Sequence, residues 1–214
     1  MMTDPAQSGF TADGLGNYIS EMPGEGNTEI WEIVNMTADA HPIHLHLAGF
    51  QLMNRQAFFG DIDEQTGYYS AHSSAFSDGV FKPGFGPPLP YAPSSASGGK
   101  YGGNPDISSF LLDAPVPPDP NEVGWKDTIL VPPGMVTRLV VRWAPTDIKV
   151  TPGNSGELHY AFLPNDAVPG HSSAHFDYVW HCHIVDHEDN EMMRPDMIVP
   201  EATAARTYVM GQDY

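Results

Sequence analysis

The tripeptide His181-Cys182-His183 constrains this chain more than any other stretch of it. Successive side chains on an extended strand leave opposite faces, so the two imidazoles point one way and the thiol the other. A metal held by Cys182 would then sit a few covalent bonds from a second centre held by His181 and His183. The segment His41-Pro42-Ile43-His44-Leu45-His46 repeats the division: His44 and His46 share a parity, and His41 has the other. A single histidine on a strand is ordinarily a core or surface residue. Here six of ten histidines, counting His187, fall in two short stretches around the only cysteine, and they read as metal ligands.

The sequence around these segments is strand-forming. Residues 28–35 (TEIWEIVN) alternate Ile30 and Glu32 against Trp31 and Ile33. Residues 41–56 read as a pair of short strands around Gly49. Residues 127–131 and 136–143 read as two more, joined at Pro132-Pro133-Gly134, and 175–183 and 193–199 as the last two. Helical periodicity is nearly absent, and 21 glycines and 21 prolines punctuate the chain. Short strands between such turns predict an all-β Greek-key sandwich or barrel, here one domain over residues 27–200. Residues 57–122 hold about half of the prolines and read as a long surface loop rather than a second domain. Residues 145–173 form a second loop, 1–26 a linker or tail, and 201–214 a C-terminal tail. Trp125, Trp143 and Trp180 read as core aromatics.

A formal charge of -18 argues against nucleic acid as a partner, because its phosphates would be repelled. No apolar run approaches the roughly 18 residues of a membrane helix, and residues 1–17 lack the basic and apolar regions of a signal peptide. With one cysteine there is no internal disulfide.

On the thiol side, Cys182, His41 and His187 offer a thiolate and two imidazoles, and Met192 can add a weak thioether. Two His and a Cys with a distant axial Met is the arrangement of blue-copper electron-transfer sites. Zinc is the rival, but a structural zinc site more commonly uses several cysteines, and it would leave four histidines unexplained. Those four, His44, His46, His181 and His183, form an all-imidazole set on the opposite face. Their position one residue from a metal thiolate favours a redox cluster fed by it.

The motifs HPIHLH and HCHIVDHEDNEMM resemble the third and fourth copper motifs of the multicopper oxidases, closest to the bacterial spore-coat laccase and bilirubin oxidase branch. GWKDT (residues 124–128) and MMRPDMIV, which begins at Met192, match as well. The resemblance spans residues 28–200 outside the long loops. It implies a cupredoxin-like fold, with His41, Cys182, His187 and axial Met192 as type 1 copper ligands. His44 corresponds to the type 2 ligand, and His46, His181 and His183 to type 3 ligands. Glu188 corresponds to an acidic residue that delivers protons to reduced oxygen. The implied activity is laccase-like: one-electron oxidation of phenolic or metal-ion donors, coupled to reduction of O2, the co-substrate, to water. The implied location is extracytoplasmic, in the periplasm or at the spore or cell surface.

In that family a trinuclear cluster uses eight histidines, four of them from two H-x-H motifs of an N-terminal domain. No further H-x-H occurs in this chain, and His72, His159, His171 and His175 are scattered in or beside loops. The expectation is a C-terminal cupredoxin domain whose cluster is completed by another chain or by a preceding segment. A stand-alone blue-copper carrier or copper-binding module without oxidase activity is the second reading, and a structural domain with empty sites the third.

Overall fold

Every alternating segment named above forms a strand in the computed structural model, which describes residues 11–12, 18–19, 23–61, 63–77, 80–81, 105–151, 178–190, 192–196 and 198. The main strands are β1 (Thr28–Val34), β2 (His41–Leu45), β3 (Gly49–Ala57), β4 (Thr128–Val131), β5 (Met135–Arg142), β6 (Tyr178–Cys182) and β7 (Met193–Asp196). They form two sheets, ordered β1-β5-β3 and β7-β6-β2-β4, with antiparallel pairing throughout. The chain changes sheet at every step from β1 to β6. The result is the expected all-β, cupredoxin-like sandwich.

Alternation decides which side chains fill it. Phe50 and Leu52 of β3 and Leu139 and Val141 of β5 meet Ile43 and Leu45 of β2, Ile129 and Val131 of β4, and Cys182 of β6. Trp31 and Ile33 pack against this core, while their neighbour Ile30 is 43% exposed. Trp143 is fully buried and Trp180 lies against the core, as expected. Trp125 departs from expectation: it is 44% exposed. Its ring lies over Gly49, where an added Cβ would come within 3.3 Å of it.

The 57–122 segment is more structured at its two ends than a surface loop. It opens with a bridge from Phe58 to Leu111 and contains α1 (Gly67–Ala75). Phe58, Tyr68 and Ile107 join Val136 of β5 in a second apolar cluster. The Arg55 guanidinium grips the Glu122 carboxylate through two bonds of 2.7 and 2.6 Å, tying the returning end of the segment to β3. Helix α1 escapes a sequence reading because GYYSAHSSA has no apolar stripe; of its described side chains only Tyr68 is fully buried. Residues 82–104, 152–177 and 199–214, and nearly all of 1–22, lie outside the described residues, including most of the N-terminal tail, all of the C-terminal tail and most of the second loop.

One carboxylate in the first sheet has a pH signature. Glu29 accepts hydrogen bonds from the Trp31 indole at 3.0 Å and the Trp143 indole at 3.1 Å. Burial raises its pKa above the ordinary carboxylate value, and the two indole bonds oppose the rise without cancelling it. The folded chain therefore binds this proton more tightly than the unfolded chain. The stability it contributes is complete below the unfolded pKa and is lost as pH rises through the folded one. Glu29→Gln, which cannot ionise, should accordingly melt at a higher temperature than the parent at pH 7, with the gap closing toward pH 4. A variant that melts lower at pH 7 would show that the two indole bonds outweigh burial.

Candidate metal centres

Strand register builds both donor sets. In the β6–β2 pairing His181 lies opposite His44, Cys182 opposite Ile43 and Trp180 opposite Leu45. In the β2–β4 pairing His44 lies opposite Thr128. Directly opposed residues share a face, so His181, His44 and Thr128 form one row on the outer face of the sheet. Cys182 and Ile43 belong to the inner face, where Cys182 is fully buried. The parity read from the sequence is the parity of the fold.

His187 returns to the thiol through a short turn. The chain leaves β6 after Cys182 and winds through the single helical turn α2 (Val185–Glu188). The His187 amide donates to the Ile184 carbonyl at 2.9 Å, the Met192 amide to the His187 carbonyl at 3.0 Å, and the Cys182 amide to the Met192 carbonyl at 3.0 Å. These bonds close a compact loop that brings His187 beside Cys182 and His41. The Cys182 Sγ lies 3.6 Å from His41 Nδ1 and 3.7 Å from His187 Nδ1, and the two nitrogens are 3.2 Å apart. A triangle with these sides has a centre about 2 Å from each corner, close to metal–imidazole and metal–thiolate bond lengths. The three donors thus fit a single transition-metal ion, and their two-imidazole, one-thiolate chemistry suits copper.

On the outer face, donor atoms of His44, His46 and His181 lie within 4.8 Å of one another, and the Nε2 atoms of His46 and His181 are 3.2 Å apart. His183 is exposed. Its ring centroid is 5.3 Å from that of His181 and 5.6 Å from that of His44, so it joins the ring cluster without joining the closest trio. Glu188 puts a carboxylate oxygen 3.4 Å from His181 Nδ1. Among the scattered histidines, His72 sits in α1 with its ring against Tyr68, away from both sets; His159, His171 and His175 lie outside the described residues.

Hydrogen bonds determine which nitrogen each ring presents. The His181 Nδ1 faces the Cys182 carbonyl at 3.0 Å and the Glu188 carboxylate. Both can only accept from it, so Nδ1 carries the proton and the Nε2 lone pair is free. His44 Nδ1 lies 2.9 Å from the Asp127 carbonyl and 2.9 Å from the Thr128 hydroxyl, and that hydroxyl donates to the Asp127 carboxylate at 3.0 Å. His44 therefore donates from Nδ1 and also presents Nε2. Burial, reinforced by neighbouring imidazoles, pushes the pKa of both His41 and His46 below the ordinary range. Asp39 and Glu188 respectively oppose the shift. Both rings are thereby favoured in the neutral form that ligates metals.

Four polar residues belong beside the ligands and were missed as partners in the sequence: two at His44 and two at His41. Asp127 and Thr128 stood out only as part of a matching pentapeptide, yet they orient His44. Asn35 and Thr37 drew no notice; the Thr37 hydroxyl lies 2.6 Å from His41 Nε2. The spacing Asn-x-Thr, which favours a side chain bonding the backbone two residues on, was the available signal.

A family model described as multicopper oxidase matches residues 13–82, which include the His41-to-His46 segment. "Multicopper oxidase LPR1 homolog 1" of Oryza sativa subsp. japonica is 32% identical over 181 residues, covering 85% of this chain and 24% of that protein. The "Laccase" of Bacillus subtilis (strain 168) is 30% identical over 177 residues, covering 83% of this chain and 21% of that one. A crystal structure of a multi-copper oxidase from Pediococcus acidilactici aligns at 19% identity with a TM-score of 0.42, over 90% of this chain and 23% of that chain. This chain spans about a quarter of the length of the curated relatives it matches.

Proposed function

Because this chain belongs to the multicopper oxidase family, we propose that it is the part of a laccase-like oxidase that takes single electrons from a donor and holds half of the ligands for reducing O2 to water. The observation that carries this reading is the pair of donor sets on opposite faces of the β6–β2 pair, joined through Cys182 and His181.

His41, Cys182 and His187 would hold a type 1 copper, and His44, His46, His181 and His183 part of a trinuclear cluster. Copper, when bound, supplies one-electron chemistry at the first site and oxygen reduction at the second. The chain's own residues supply the rest. Cys182 and His181 are neighbours in sequence, and the His181 Nδ1–H bond to the Cys182 carbonyl shortens the through-bond route between the two sets. His187 is half-buried at the rim, where a phenolic or metal-ion donor could approach it. Met192, whose backbone bonds to both His187 and Cys182 and which is 36% exposed, would in this reading supply the weak thioether. Glu188 holds a carboxylate oxygen 3.4 Å from His181 Nδ1, which in this reading sets a proton carrier for reduced oxygen beside the half-site.

The missing ligands belong in this reading to an N-terminal domain with two H-x-H motifs, on another chain or in a longer form of this one. A cavity of about 490 Å³ opens beside His44 between Leu47, Asp127 and Thr146, on the face where such a domain would dock. No helix among the described residues is long and apolar enough to cross a membrane, and an extracytoplasmic location is part of the proposal. The first test is metal analysis with visible spectroscopy after Cu(II) loading. One tightly held copper per chain with intense blue absorption is expected. Copper bound without that colour, or a strong preference for colourless Zn(II), would refute the type 1 assignment.

A further inference from the structure

We propose that Asn35 and Thr37 are positioning residues of the thiolate centre, holding His41 as the Nε2–H tautomer with its Nδ1 lone pair turned to Cys182 and His187. The proposal extends the copper reading above, but its geometric basis is a chain of hydrogen bonds whose direction can be worked out atom by atom.

The chain starts at the Asn35 amide, which is buried. Its Nδ2 donates to the Asp39 carbonyl at 2.7 Å and to the Val131 carbonyl at 3.0 Å. Its Oδ1 accepts from the Thr37 backbone amide at 2.9 Å. Flipping the amide would set an NH2 group against that N–H and leave two carbonyls facing an oxygen, so the orientation is determined. The Thr37 hydroxyl lies 2.7 Å from Asn35 Oδ1 and 3.2 Å from the Asp39 carbonyl, both acceptors. Two oxygens 2.7 Å apart without a hydrogen between them repel, so the single hydroxyl proton goes to Asn35. The Thr37 oxygen is then left to accept from His41 Nε2 at 2.6 Å, and Nε2 must carry the ring proton. A neutral imidazole has one N–H. The His41 Nδ1 is therefore unprotonated, on the edge that faces Sγ at 3.6 Å.

The network also ties the ligand to the sheet. Val131, whose carbonyl receives the Asn35 amide, pairs with His41 across β2 and β4. The Asn35 backbone amide donates to the Met135 carbonyl at 3.1 Å, and its carbonyl accepts from Gly134 at 3.0 Å. His41 is thus aimed by a turn anchored in both sheets. Partners of this kind fix ring orientation and tautomer at metal sites, and removing one ordinarily costs about 10- to 100-fold in metal affinity. A mere turn-stabilising role for Thr37 would make no such demand on the imidazole.

The test uses the full chain with Thr37→Val, which keeps size and removes the hydroxyl, and Thr37→Ser, which restores it. Thr37 is exposed, so both should fold; Thr37→Ala removes the same hydroxyl with no added bulk should Val disturb the turn. Long-range proton–nitrogen correlation NMR on the metal-free proteins reads the His41 tautomer directly. Nε2–H is expected in the parent and in Thr37→Ser, and a mixture with Nδ1–H in Thr37→Val. After Cu(II) loading, Thr37→Val should bind about 10- to 100-fold more weakly with a shifted or weakened blue band, and Thr37→Ser should match the parent. Parental tautomer, affinity and band in Thr37→Val would overturn the proposal. A parent without blue colour whose His41 tautomer still switches in Thr37→Val would sink the copper reading and leave the positioning role standing.

Discussion

Cys182→Ser should abolish the blue absorption expected of the copper-loaded chain and leave a folded β-sandwich. Colour of this intensity comes from charge transfer between a thiolate and Cu(II), and the chain has one cysteine. That cysteine is fully buried at a corner of the donor triangle. The substitution removes the donor and places a hydroxyl in an apolar core beside Ile43 and Trp180. An unsatisfied buried hydroxyl costs about 1–3 kcal/mol by protein measurements, and His41 Nδ1 and His187 Nδ1 are close enough to offset part of that after a small shift. A domain stable by about 5–15 kcal/mol tolerates the loss. Visible absorption and far-ultraviolet circular dichroism on the same sample check both halves. A blue band that survives in a folded variant removes Cys182 from the site.

The second large effect concerns oxygen. Alone, the chain should take up no oxygen with a phenolic donor, because its outer-face set brings His44, His46 and His181 together, with His183 at the edge. Such a half-site should bind metal weakly and heterogeneously. Mixed with a domain that carries two H-x-H motifs, it should turn over at about 1 s⁻¹ or faster, the low end of ordinary enzyme rates. Two copies of this chain facing one another would only repeat the same ligands, without the asymmetry of a cluster built from two different domains. Oxygen electrode traces with and without the companion domain decide the matter. Sustained reduction of O2 to water by the purified chain alone would end the half-site reading.

Much of this was legible because strands expose their arithmetic. The period of two assigned Cys182 to one face and His181 to the other, and the register of β6 on β2 confirmed it by setting His181 against His44. Predicted strand limits fell within a few residues of those found, since Gly and Pro mark the turns. The tryptophans show where this fails: composition cannot tell the buried Trp143 from Trp125, which covers Gly49 from outside. Helix α1 was invisible for want of a stripe, its anchoring resting on Tyr68. The partners of the ligands were also hidden. Thr37 and Asn35 are ordinary turn residues until folding brings Val131 beneath them, and Thr128 reaches His44 from 84 residues away.

The β6–β2 register has a consequence for how the chain reaches this state. A slip of one residue between these strands would turn every side chain of the slipped strand to the opposite face. Cys182 would swing outward and His181 inward, so both donor sets would dissolve in the same step. No half-correct alignment keeps either one. A metal ion that binds only the aligned pair lowers the free energy of that alignment alone, and it would act as an inspector of strand pairing: copper present during refolding should sort slipped molecules from true ones before the sandwich closes.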